Sequence, residues 1–83
     1  MLKGRSFDVD TSLALRTQAA AYQARIEGEH GRSLSRYKQL LQMVIALESA
    51  GQTGYPPGMS TQLCQRAIEL EEEAIAGLHY LGE

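Results

Sequence analysis

Eighty-three residues carry eight Lys and Arg against ten Asp and Glu, a formal net charge of −2, which makes one small domain without the basic excess that nucleic-acid binding usually needs. A chain of this length buries only about 60–65% of its unfolded surface, and its single cysteine, Cys64, excludes an internal disulfide, so association with another chain is the route left to added stability. No run reaches the roughly 18–20 apolar residues of a membrane span, and residues 1–7 lack the apolar core of a cleaved export signal, which predicts a cytoplasmic protein.

The first helical signal begins after Asp10, Thr11 and Ser12, each a suitable N-cap. Leu15, Ala19, Tyr22 and Ile26 follow at spacings of four, three and four, the apolar stripe of an amphipathic helix. Thr17, Ala20 and Ala24 add small residues that let another helix approach closely. Gly28 and Gly31 interrupt at "GEHG", each costing about 1 kcal/mol against alanine in a helix interior. The stripe nevertheless keeps its phase through His30, Leu34, Tyr37, Leu41 and Val44. That register favours one long or bent helix over residues 11–50, about 60 Å at 1.5 Å per residue, over two helices joined by a tight corner.

Residues 51–59 form the predicted loop, because Pro56, Pro57 and three glycines cannot continue a helix. Ser60 is placed to cap a C-terminal helix over 60–82, with Met59 stapling against Cys64. Leu63, Ala67, Leu70, Ala74, Leu78 and Leu81 recur along that helix at helical spacing, and no period-two alternation signals a strand. The fold class is all-α: an antiparallel helical hairpin with an additional N-terminal helix or helical extension, a single domain over 1–83. Both hairpin helices carry two apolar ridges, with Leu40, Met43 and Leu47 on one and Cys64, Ile68 and Ile75 on the other. One antiparallel contact uses about one stripe of each. The second ridge therefore needs the N-terminal helix, another copy or a different protein.

Chemistry is sparse. Glu71, Glu72 and Glu73 are consecutive, fan out by about 100° per residue on a helix and cannot converge on a metal or a scissile bond, so they read as solvated surface. His30 and His79 belong to no metal-binding spacing, and no phosphate-cradling glycine loop exists. Cys64 reads as a small buried apolar residue. Arg25, Arg32 and Arg36 share a helical stripe, but the mildly acidic chain disfavours nucleic acid. Seven of the eight basic residues lie in 1–38 and six of the ten acids in 39–83, an asymmetry suited to antiparallel contact within or between chains. Neither an enzyme nor a cofactor is expected.

In the last helix, Gln65 and Arg66 are followed after seven residues by Ala74, Ile75 and Ala76, and then by His79, Tyr80 and Gly82. This pattern, about a quarter of the chain, resembles the C-terminal helix of the small co-chaperones of type III secretion needle subunits, the YscE type. The resemblance implies a helical hairpin over 33–50 and 60–82 that pairs with a tetratricopeptide-like chaperone to keep a needle subunit soluble. Residues 1–32 and the "GYPPG" loop depart from that pattern. The residues expected to bind a partner are Tyr37, Leu41, Val44, Ile68, Ile75, Leu78 and Tyr80. The expected function is thus a non-enzymatic protein-binding module with a helical protein partner. The alternative is a self-assembling homo-oligomer, such as a phage- or plasmid-type inhibitor or a ligand-sequestering protein.

Overall fold

In the computed structural model the chain is all-α, and residues 11–81 are described, with side chains as far as residue 77. Helix α1 spans Thr11–Ile26, α2 spans His30–Ser49 and α3 spans Met59–Leu81. No strand occurs among the described residues. Asp10, as a cap, Leu78, Tyr80 and Leu81, as apolar-face or partner residues, and His79, of the resemblance pattern, fall outside what the structure describes at side-chain level.

The long helix over 11–50 does not form. Helix α1 stops because Gly28 takes a left-handed φ of +78°, a backbone conformation that costs other residues about 1–2 kcal/mol. The Gly28 N–H donates to Arg25 O at 3.1 Å and the Glu29 N–H to Ala24 O at 2.8 Å. These two bonds form a Schellman closure, which satisfies carbonyls the helix end would otherwise orphan. Helix α2 stops the same way: Gly51, at φ +70°, donates to Glu48 O, and Gln52 donates to Leu47 O. Gly31, by contrast, is an ordinary residue of the first turn of α2. Of the two glycines in "GEHG", only the first breaks the helix.

Helix α3 is not capped by Ser60. The Glu48 carboxylate, from the last turn of α2, accepts hydrogen bonds from the Ser60 and Thr61 backbone N–H groups at 3.0 and 3.3 Å, and from the Thr61 hydroxyl. An anion there answers both the unpaired N–H groups and the positive end of the α3 dipole. Those hydrogen bonds, the Thr61 hydroxyl's first, hold the Glu48 carboxyl below its ordinary value. Met59, expected to staple the turn, is exposed.

Helix α2 is the middle layer, and both α1 and α3 pack against it. Its contacts with α3 step down α2 as they step up α3: Glu48 with Thr61, Tyr37 with Cys64, His30 with Glu71. The core gathers Ala14 and Ala21 from α1, Tyr37, Leu40 and Leu47 from α2 and Cys64 from α3, with Leu41, Met43, Val44, Ala67 and Ile68 against it. The second ridge of α2 is thus occupied from within the chain, by α1.

Helix α1 packs through its small residues. Ala14, Thr17, Ala21 and Ala24 are buried, and the Thr17 hydroxyl is satisfied by donating to Leu13 O at 2.8 Å. Ser33 on α2 is fully buried too, its Oγ without a hydrogen-bond partner. With only methyl groups and a threonine on the buried face of α1, the large side chains of α2 supply the apolar volume. The expectation for Thr17 and Ala24 holds in this geometry; Ala20, placed in the same small set, is exposed.

Candidate interaction surface

The stripe Leu15, Ala19, Tyr22 and Ile26, expected to be core, faces outward. Leu15 is 60% exposed, Tyr22 56% and Ile26 62%, and Ala19 is exposed between them. At about 100° per residue, this stripe lies roughly 150° around the α1 axis from the centre of the buried face formed by Ala14, Thr17, Ala21 and Ala24. The physical reason for the inversion is the partner. Helix α2 already brings Tyr37, Leu40 and Leu47 to the contact, so the face of α1 with the least volume fits it best and the bulky face is left outside. Isolated exposed apolar residues are ordinary on a protein surface. Three large ones aligned over three helical turns form a continuous exposed apolar row.

At its Leu15 end the stripe meets a cavity of about 410 Å³ between the start of α1, the middle of α2 and the start of α3. Leu15, Tyr37, Leu40, Val44, Leu47 and Leu63 supply its apolar wall, and the loop residues Gln52, Thr53 and Tyr55 rim it. Leu63 and Tyr55 are themselves exposed at 61% each. Cys64 sits against the cavity but is buried, its Sγ–H donating to Tyr37 O at 3.3 Å. Burial pushes its thiol up, so it is held as an inert thiol.

The end of the three-helix packing away from the cavity is held by a polar cluster. Glu71 is 1% exposed, with Oε2 at 3.3 Å from Arg25 Nε and Oε1 at 2.7 Å from His30 Nδ1. Toward an ionised carboxylate, which only accepts, the imidazole donates from Nδ1. Tyr37 lies alongside: burial pushes its hydroxyl up, and the neighbouring Arg25 guanidinium opposes the shift. The solvated reading of Glu71 is therefore corrected. Only Glu72 and Glu73 of the run are exposed. The reason is visible one turn away in each direction: Ala67, Ile68, Ala74 and Ile75 all flank Glu71 at three or four residues, which sets it on the apolar face. A carboxylate closed off by an arginine and a histidine joins three helices. It is not placed to exchange protons with a substrate.

Of the residues expected to bind a partner, Tyr37 is buried in the core, while Leu41, Val44, Ile68 and Ile75 are half-buried, the first three packed against that core. Leu78 and Tyr80 lie outside the described side chains. The outward direction of the α1 stripe was not legible because periodicity gives the apolar face of a helix without saying what covers it. No group of three or more His, Cys, Asp or Glu able to hold a metal ion occurs among the described residues. Nor is any helix among them long and apolar enough to cross a membrane. No protein-family model, no curated protein and no solved structure matches this chain.

Proposed function

We propose that the protein is a non-enzymatic binding module of the cytoplasm that docks an amphipathic helix along the outer stripe of α1. The carrying observation is the row Leu15, Tyr22 and Ile26, each more than half exposed, on a helix whose opposite face is fully engaged with α2. An apolar row at helical spacing accepts anchors spaced three and four apart from a partner helix, and the cavity beside Leu15 offers room for one large side chain at the end of that row.

In this reading α2 and α3 form the antiparallel hairpin and α1 is its added layer. The secretion co-chaperone is the specific version of it, supported by the hairpin and by the Gln65 to Gly82 pattern. There the docking face moves from the hairpin, where α1 lies on α2, to the outside of α1. Photo-crosslinking from positions 22 and 26, with Arg36 as the control, tests the general reading. Crosslinks from 22 and 26 to an amphipathic helical segment are expected; equal yields at all three positions would contradict it. Co-expression with a needle subunit and its tetratricopeptide-like chaperone tests the specific version, for which a soluble ternary complex is the expected result and an insoluble needle subunit the contrary one.

A further inference from the structure

We infer that the helix docked on this stripe is α1 of a second copy, the two helices lying antiparallel about a two-fold axis. The inference rests on the reading of the stripe as a helix-docking surface and names its occupant. In heptad terms Leu15 and Tyr22 take the d positions and Ala19 and Ile26 the a positions. Antiparallel pairing sets Leu15 opposite Ile26 of the second copy and Ala19 opposite its Tyr22, so that each phenol ring covers a methyl group. Parallel pairing stacks Ala19 on Ala19 and Tyr22 on Tyr22, leaving one layer void and the next crowded.

The flanks agree with the same orientation. Antiparallel pairing brings Arg16 beside Gln23 of the second copy and Gln18 beside its Arg25, so no like charges face each other. Gln23 already holds Glu27 through a 2.8 Å hydrogen bond, which puts a carboxylate on the flank that Arg16 approaches. Arg25 keeps its bond to Glu71 within its own chain. Because Leu15 borders the cavity, Ile26 of the second copy is delivered to the cavity mouth, once in each protomer as an isologous contact requires. Two stripes of four residues bury less than the roughly 1,200 Å² of a standard interface. An interface of that size belongs to the weak, transient class, so the dimer is concentration-dependent.

Sedimentation of the full chain from about 5 μM to about 1 mM is the test, with Tyr22→Glu and Ile26→Glu beside the wild type. Both substituted residues are exposed, so the helical circular dichroism and the melting temperature serve to show that each variant folds. A concentration-dependent dimer is expected, weakened at least about tenfold in either variant. Orientation is read by a short bis-maleimide with Leu15→Cys and Ile26→Cys chains, the wild type controlling for buried Cys64. Crosslinks in the mixture and none in either chain alone are expected. A wild type that stays monomeric throughout, or crosslinking of Leu15→Cys alone, overturns the inference. A monomeric wild type whose Tyr22→Glu variant loses a heterologous helical partner overturns the second copy while leaving the docking reading standing. Variants that keep every association of the wild type overturn both.

Discussion

The carboxylate of Glu71, midway along α3, lies 2.7 Å from the Nδ1 of His30, the first residue of α2, and Arg25 of α1 closes its other oxygen at 3.3 Å. One buried side chain thus ties three helices at the end away from the cavity. Removing one cation from a buried carboxylate strands its charge, and a fully broken buried pair costs roughly 3–5 kcal/mol. With His30 still in place, Arg25→Ala is expected to cost about 2–3 kcal/mol. Glu71→Ala is expected to cost about 2 kcal/mol, because Arg25 at 41% exposure can turn to water. Glu72→Ala and Glu73→Ala should each stay within about 0.5 kcal/mol. Urea unfolding of the four variants checks the ranking, and equal effects along the run would contradict it.

The two glycines of "GEHG" should respond in opposite directions. Gly28→Ala forces a side chain into a left-handed φ and is expected to destabilise by about 1–2 kcal/mol. Gly31→Ala adds a methyl group to open space within a helix and is expected to stabilise by up to about 1 kcal/mol. Thermal melts of the pair decide it. The sequence shows both residues as helix costs, whereas only the closing hydrogen bonds from Gly28 and Glu29 tell the stop from the passenger.

Acid should weaken the α2–α3 junction through Glu48. Its folded value lies below the ordinary 4.5, so over the window between the two the unfolded chain binds more protons and stability rises with pH. The contribution is fully present above 4.5 and is lost as pH falls through the lower folded value. Unfolding free energy measured across this range should show a shallower acid slope in Glu48→Gln than in the wild type. An unchanged slope would assign the acid sensitivity elsewhere.

Ser33, on α2, is buried with an unpartnered hydroxyl. Replacing it by alanine removes a desolvation cost without opening much space, so Ser33→Ala is expected to be neutral or stabilising by about 1 kcal/mol. Ser33→Leu should destabilise the fold by overpacking a fully buried position. Denaturant midpoints of both variants provide the check.

Much of the architecture could be read from residues alone. Pro56, Pro57 and the surrounding glycines mark the loop, and the periodic residues from Leu63 onward mark α3, because chain breakers and apolar periodicity are local signals. What could not be read is which face of α1 turns inward. That choice depends on the volume α2 already contributes, a property of the pair and not of either segment. The depth of Glu71 was present in its neighbours at three and four residues, but a run of like charges conceals the one member that faces the core.

The central claim, that the outer stripe of α1 is a contact surface while its small-residue line is core, is tested most directly by thiol labelling. The maleimide reaction rates of Ile26→Cys and Ala24→Cys chains are compared as protein concentration rises, with the wild type as the baseline for Cys64. We expect the thiol at 26 to react rapidly at high dilution and to slow as a second copy, or an added helical partner, covers it, while the thiol at 24 stays protected throughout. Rapid labelling at 24 with protection at 26 in dilute solution would show α1 docked by its other face. Labelling at 26 that no concentration or partner slows would show that nothing covers the stripe.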